Sequence, residues 1–367
     1  MVAGQAGADA FFMGKALALA ERGRGRTSPN PMVGALVVDD EGVIVGRGAH
    51  EAAGEPHAEV HALRDAGGRA RGATLYCTLE PCSHTGRTGP CAPLVVAAGI
   101  RRAVIAMADP NPLVAGGGLR CLRDAGLTVE TGVRRAEAER QNAAFLTTMR
   151  LGRPYVIVKA ALSLDGMIAG RGGAPAKLTS AAADRWIHRQ RAEVDALGVG
   201  ADTILHDDPR LTARLVHRAR PLTRVIFDTR LRTPPSARVL STLDAGPVII
   251  ISTENSSPEH AARARALRER GALIESAPRH DLDAAMKRLA QLGVTSIVLE
   301  GGAALHRSAI EAGVVDAVQV YVTPRMLGQD AVAWVAPDVV ALGALHERRA
   351  TLLDEDVLIE GHVHRTD

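Results

Sequence analysis

Three observations predict an α/β protein made of two successive domains. The chain has 367 residues, more than one hydrophobic core usually organises. Apolar runs of strand length alternate with helix-like segments along it, the pattern of a mostly parallel sheet covered on both faces. The alternation breaks at Gly152 and Pro154 and restarts with a long apolar run at Tyr155, which predicts domains at residues 1–150 and 151–367.

Taken in order, residues 10–22 set Met13, Ala16, Leu17 and Ala20 on one helical face. "FFMGKALALA" has the apolar character of a signal sequence, but no basic segment precedes it and Lys15 interrupts it. "MVGALVVDDEGVIVGRG" places two apolar runs around Asp39–Gly42, a β-hairpin. "PHAEVHALRDAG" predicts a helix with Pro56 at its start and Gly67 past its end. "ATLYCTL" reads as a strand, "LVVAAG" as a helix end and "RAVIAMAD" as a strand. A helix near 116–125, the strand "LTVETGV" and a charged helix from Arg134 to Met149 complete the first half. In the second half "LTRVIFDT", "GPVIIIST", "TSIVLEGG" and "DAVQVYVTP" predict buried strands, with helices near 180–195, 258–270, 282–291 and 303–312. There is no repeat of fixed period and no low-complexity tract.

Composition narrows the function classes. Hydrophobic residues at 46% and charged ones at 23% fit a soluble globular chain, and the apolar runs are too short to cross a bilayer. Four cysteines without an export signal point to a reducing compartment, the cytoplasm, and to metal or catalytic roles. A net charge of +3 and 2% aromatics give neither the electrostatic footprint nor the stacking platforms of a nucleic-acid binder. Small-molecule substrates are therefore expected, with no nucleic acid and no membrane; a homo-oligomer is compatible with the sequence.

"HAEV" at 57–60 and "LEPCSHTGRTGPC" at 79–91 supply one imidazole, two thiols and a carboxylate. A hydrolytic zinc takes three protein ligands and keeps its fourth position for water, which it acidifies. His57, Cys82 and Cys91 meet that count, and Glu59, two residues from His57, is expected beside the metal as the catalytic proton shuttle. His-x-Glu with Pro-Cys is the mark of zinc deaminases acting on bases. Helix starts at His57 and near Cys82 would favour the anionic groups through the helix dipole. A structural zinc would instead want a fourth ligand from Cys77, His61 or His84. The zinc-protease pattern fails, because Ala58 follows His57 where that motif needs Glu.

The eight residues between Cys82 and Cys91 separate this chain from most cytidine, adenosine and nucleic-acid deaminases, which have two. With "SPNPMVGALVV" and "GRGAHEAAGEPHAEVHAL", the segment resembles the deaminase half of the bifunctional riboflavin-biosynthesis deaminase/reductases. The resemblance implies a cytidine-deaminase-like three-layer domain acting on a diaminopyrimidinone that bears a phosphoribosylamino group. It also implies that Asn30 and His50 contact the pyrimidine, with His84 and Arg87 in the loop over the site. Taken alone, Asn30 also fits a turn and Arg87 a solvated loop charge. Gly89 departs from the family, which tends to have Pro there.

The second half lacks G-x-G-x-x-G after a strand, and "VLEGGAAL" alone fits a phosphate turn or a plain tight turn. With "KAALSLDGMIA", "RAEVDALGVGADTILHDDPRLTAR" and "YVTPRMLG" it resembles the reductase half of the same family. That implies a dihydrofolate-reductase-like fold using NADPH, with Thr203, Asp207, Gly301 and Gly302 at the cofactor. Arg191, Leu211, Arg214 and Glu300 would hold the phosphorylated substrate, and Asp207 beside Asp208 also fits a turn. Lys159 and Asp165 are polar neighbours without an assigned proton role. Lys177 stands where the family carries an aromatic of the cofactor wall, which leaves a zinc deaminase with a weakened reductase half as the alternative reading.

Overall fold

The computed structural model describes residues 4–83, 89–111, 116–334 and 344–364. These form two compact units, one running to Leu151 and the other beginning at Gly152.

The first unit contains α1 (Gln5–Ala20), β1 (Gly34–Val38), β2 (Ile44–Ala49), α2 (Ala58–Ala66), β3 (Thr74–Cys77), α3 (Cys91–Ala97), β4 (Arg102–Ile105), α4 (Gly117–Asp124), β5 (Thr128–Thr131), α5 (Arg135–Gln141) and α6 (Ala143–Leu151). Its sheet runs β2-β1-β3-β4-β5. The hairpin makes β2, β1 and β3 antiparallel, while β3, β4 and β5 are parallel, so the sheet is mixed where the alternation of elements predicted a mostly parallel one. Met13, Ala16, Leu17 and Ala20 are the buried face of α1, as their spacing requires.

Two strand glycines set the position of the helix that matters most. A Cβ on Gly48 would lie 2.0 Å from the Ala58 carbonyl oxygen, and one on Gly46 2.2 Å from that of Ala62. With hydrogen in both places α2 rests directly on β2, and its first turn is fixed against the sheet. The predicted helix from Arg134 to Met149 is two helices, because Asn142 leaves helical geometry (φ −106°, ψ 22°) and uses its side chain elsewhere.

The second unit contains β6 (Tyr155–Leu162), β7 (Met167–Ala169), α7 (Ala181–Glu193), β8 (Ala196–Gly200), α8 (Ala201–Asp207), β9 (Thr223–Phe227), β10 (Val248–Ser252), α9 (Pro258–Glu269), β11 (Leu273–Ser276), α10 (Leu282–Gln291), β12 (Ser296–Gly301), α11 (Ala303–Glu311), β13 (Ala317–Val322), β14 (Val332–Ala333), β15 (His346–Leu353) and β16 (Asp356–His362). Nine strands form one sheet in the order β11-β10-β9-β8-β12-β6-β13-β16-β15. It is parallel from β11 to β13 and antiparallel over β13, β16 and β15. The inner strands β10 and β12 are buried almost throughout, which is why they read as continuous apolar runs; β8 is equally buried, but its two glycines gave no such run. By contrast β15 carries Glu347, Arg348 and Arg349 exposed at a sheet edge, and a charged edge strand gives no alternating signal. Among the described residues no helix is long and apolar enough to cross a membrane.

Candidate active site

His57 is the N-cap of α2, with extended backbone (φ −72°, ψ 161°), and Glu59 lies buried in the first turn of the same helix. Cys91 opens α3. Cys82 sits in the irregular segment after β3; the second helix start therefore belongs to Cys91, where the sequence had suggested Cys82.

These elements bring three donors to one point. His57 Nδ1 is 3.5 Å from Cys82 Sγ and 3.3 Å from Cys91 Sγ. All three ligand atoms lie within 4.8 Å of one another, and no other such group of His, Cys, Asp or Glu occurs among the described residues. Zinc–nitrogen and zinc–sulfur bonds of about 2.0–2.3 Å at tetrahedral angles place ligand atoms roughly 3.5–3.8 Å apart, so the donor set fits zinc. Among the described residues the cluster has three ligands and excludes Cys77 and His61, the number that leaves one position of a zinc open.

The electrostatics follow from proximity. The hydrogen bond from the Cys91 thiol, helped by His57, pushes Cys82 down, while bonding to the Cys82 thiolate and burial push Cys91 up. The Cys82 contact raises His57. Burial raises the Glu59 carboxyl to about 7 despite the pull of His57, which makes it able to hold or release a proton near neutrality. A bound divalent cation pushes each of these groups toward its ligating or charged form.

His50 and Asn30 adjoin the cluster. The His50 ring meets the His57 ring edge-on, with centroids 5.4 Å apart. His50 Nδ1 is 3.2 Å from the Pro56 carbonyl, which only accepts, so that nitrogen carries the proton and Nε2 accepts from Asn30 Nδ2 at 3.2 Å. Burial keeps His50 neutral by lowering its pKa. His84 and Arg87 lie outside the described residues.

Sequence reasoning passed over Glu80. Its buried carboxylate accepts from the backbone N–H groups of Asp109, Gly116, Gly118 and Leu119 at 2.9–3.1 Å. It thereby fastens the start of α4 to the strand end that carries Cys82. A carboxylate two residues before a ligand cysteine was the available signal, but nothing in the sequence says it turns inward.

In the second unit Arg191 and Glu300 form a two-point pair, Nε to Oε1 at 2.6 Å and Nη2 to Oε2 at 2.5 Å. Arg191 Nη1 also donates to the Thr212 carbonyl at 3.0 Å. Its fork is therefore turned to Glu300 and the loop at Thr212. Burial raises and the Arg191 charge lowers the Glu300 carboxyl, and the lowering prevails. Arg214 has an exposed side chain, and its N–H donates to His188 Nδ1 at 3.1 Å. His188 lies three residues before Arg191 on α7, a shared face that the sequence offered and that went unread. Leu211 is in the core with φ +52°, so its backbone is the part available to a ligand.

The cofactor candidates group by geometry. A Cβ on Gly301 would lie 2.8 Å from Thr203 Oγ1, and Gly302 has φ +90°. The Gly301–Gly302 turn is thus backbone faced by a hydroxyl, the form in which main-chain N–H groups approach a phosphate, and it fits a dinucleotide. Asp207 ends α8 and is exposed. Lys159 is buried enough to lower its ammonium pKa, against the pull of Glu300, and its Nζ stands 5.5 Å from the Tyr321 ring centre. Asp165 ties two loops, accepting from Leu327 and Gly328 N–H at 3.2 and 2.8 Å. Lys177 binds Thr179 Oγ1 at 3.3 Å and pairs with Asp184.

Comparison with known proteins agrees with this division. The family described as the cytidine and deoxycytidylate deaminase zinc-binding region matches residues 7–107, and the RibD C-terminal domain matches residues 154–359. The riboflavin biosynthesis protein RibD of Bacillus amyloliquefaciens is 45% identical over 318 residues, 87% of this chain and 85% of that protein. Acinetobacter baumannii RibD, form 1, superposes with a TM-score of 0.87 at 36% identity over 98% of this chain and 100% of that one. A diaminohydroxyphosphoribosylaminopyrimidine deaminase/5-amino-6-(5-phosphoribosylamino)uracil reductase from Thermotoga maritima gives a TM-score of 0.82 at 30% identity over 97% and 99%.

Proposed function

From the premise that this chain belongs to the RibD family and is a bifunctional riboflavin-biosynthesis enzyme, a zinc deaminase joined to an NADPH-dependent reductase, we propose how its residues divide the work. Residues 1–150 deaminate 2,5-diamino-6-(5-phosphoribosylamino)pyrimidin-4(3H)-one. Residues 151–367 reduce the ribosyl group of the resulting 5-amino-6-(5-phosphoribosylamino)uracil to ribityl.

In the first reaction His57, Cys82 and Cys91 hold the zinc, which when bound supplies a water acidified to near-neutral pKa. Glu59 takes a proton from the attacking water and passes it to the exocyclic 2-amino group, whose bond to C2 breaks as it leaves as ammonia. Neutral His50, with its Nδ1 proton held by Pro56, and Asn30 orient the pyrimidine.

In the second reaction bound NADPH would supply a hydride to the sugar C1 as its bond to the ring oxygen breaks, the freed oxygen taking a proton from water to become the ribityl hydroxyl. Thr203, Asp207, Gly301 and Gly302 hold the dinucleotide. Glu300, fixed by Arg191, and the Leu211 backbone orient the substrate, while exposed Arg214 reaches its phosphate. Both substrates are small phosphorylated pyrimidines. We place the protein in the cytoplasm, apart from nucleic acid and membrane, and a homo-oligomer is compatible with this reading.

The observation that carries the deaminase reading is the His57, Cys82 and Cys91 cluster, three ligands among the described residues, with buried Glu59 beside it. Incubation with the diaminopyrimidinone, with and without NADPH, followed by product masses is the test. Deaminated product alone without NADPH, and the ribityl product with it, are expected; unchanged substrate in both would refute the assignment.

A further inference from the structure

Asn142 lies at the break between α5 and α6, is 3% exposed, and spends its whole side-chain amide on one distant residue and one helix carbonyl. Its Oδ1 accepts from the Met32 N–H at 2.7 Å, and its Nδ2 donates to the Met32 carbonyl at 3.0 Å and to the Ala138 carbonyl at 3.3 Å. One amide thus pairs with both polar groups of a single backbone residue, as a neighbouring strand would.

What Met32 leads to gives the clamp its meaning. The segment reads Ser28-Pro29-Asn30-Pro31-Met32, so Asn30 stands between two prolines whose φ is fixed and, as the residue before Pro31, is itself kept from helical backbone. Fixing the Met32 peptide therefore leaves Asn30 little slack. Its other side is held by its own N–H on the Thr27 carbonyl at 2.8 Å. From Asn30 the contacts continue through His50 to the Pro56 carbonyl, and Pro56 precedes the metal ligand His57. Asn142 lies beyond residue 107, where the matched zinc-binding region ends. The last helices of the first unit thus reach back to the substrate side of a site that the matched region carries without them.

We propose that Asn142 is a positioning residue of the deaminase, holding Asn30 in register for the pyrimidine through Met32. The proposal rests on the reading of Asn30 as a ring contact. Asn142→Asp keeps the acceptor for the Met32 N–H and sets a carboxylate oxygen against the Met32 carbonyl. In the full-length enzyme the expected result is a KM for the diaminopyrimidinone raised by about tenfold, the size of one lost hydrogen bond. Zinc content and NADPH-dependent reduction should stay within about twofold of the parent.

The control that separates positioning from general stability is a cycle with Asn30→Ala, measured well below the melting temperature. If Asn142 acts through Asn30, adding Asn142→Asp to Asn30→Ala causes little further loss. Equal losses in both backgrounds, or KM and kcat of Asn142→Asp within about twofold of the parent, overturn the proposal. Full deamination by Asn30→Ala alone overturns the ring-contact reading and the proposal with it. Should Asn142→Asp not fold, Asn142→Ala carries the same expectations.

Discussion

Trp334 donates its indole N–H to Nδ1 of His306 at 2.8 Å, and His306 Nε2 meets the Leu299 carbonyl at 3.0 Å. A carbonyl only accepts, so Nε2 carries the hydrogen and Nδ1 is the acceptor. The ring is neutral with both nitrogens satisfied, and it is 3% exposed. A second proton would have to sit on Nδ1, against the indole N–H.

That pair predicts a pH dependence of stability. Burial lowers His306 from the usual 6.5 to about 4. Between those values the unfolded chain binds a proton that the folded one does not, so stability falls as pH drops through this window. The loss is complete below about 4 and amounts to roughly 3 kcal/mol at most. Carboxylates titrate in part of the same range, so the comparison is with His306→Gln. Denaturant midpoints at pH 7 and pH 4.5 should converge between the two proteins on the acid side. A parent and variant with equal acid sensitivity would contradict the assignment.

Cys82→Ser removes one of three ligands and leaves two, which should strip the zinc. Metal analysis of the purified variant should find little of it, and deamination should vanish with it. Zinc content equal to the parent's would mean that the metal sits elsewhere.

Lys177 is expected to sustain use of NADPH in place of the family's aromatic. Its ammonium is paired with Asp184, but the Lys177 side chain is 66% exposed, and an exposed pair is worth about 0–1 kcal/mol. It can therefore be given up to a cofactor phosphate at small cost. Binding titrations should show the parent preferring NADPH to NADH, with Lys177→Ala reducing that preference. A parent that binds neither cofactor, with binding restored in Lys177→Trp, would show a degenerate reductase half.

Residues 1–151, expressed alone, should fold, bind zinc and deaminate. Each of the two units has its own sheet and its own buried clusters, and Asn142 falls inside this fragment. Loss of solubility or of zinc would show that the halves depend on each other.

What the sequence displayed followed the range of each interaction. Met13, Ala16, Leu17 and Ala20 showed α1 because helical spacing is local, and the hairpin was legible from its acidic turn. His57, Cys82 and Cys91 were legible as ligands because their residue types and spacing are themselves the chemistry. The break at Asn142 was not, since helix propensity runs through it and its true partner is 110 positions away. Nor was the commitment of Arg191 to Glu300, because an arginine in a sequence does not say which acceptor wins. Strand β15 escaped for a different reason: an edge strand with one solvated face needs no apolar run.

The central claim is that Glu59 moves the proton in a deaminase site that works independently of the reductase. Its direct measurement is the pair of activities in full-length Glu59→Gln. The amide cannot accept and return a proton, so deamination should fall by about 100-fold or more, while zinc content and NADPH-dependent reduction of the aminouracil persist. Deamination within a few-fold of the parent, with zinc in place, would contradict the account.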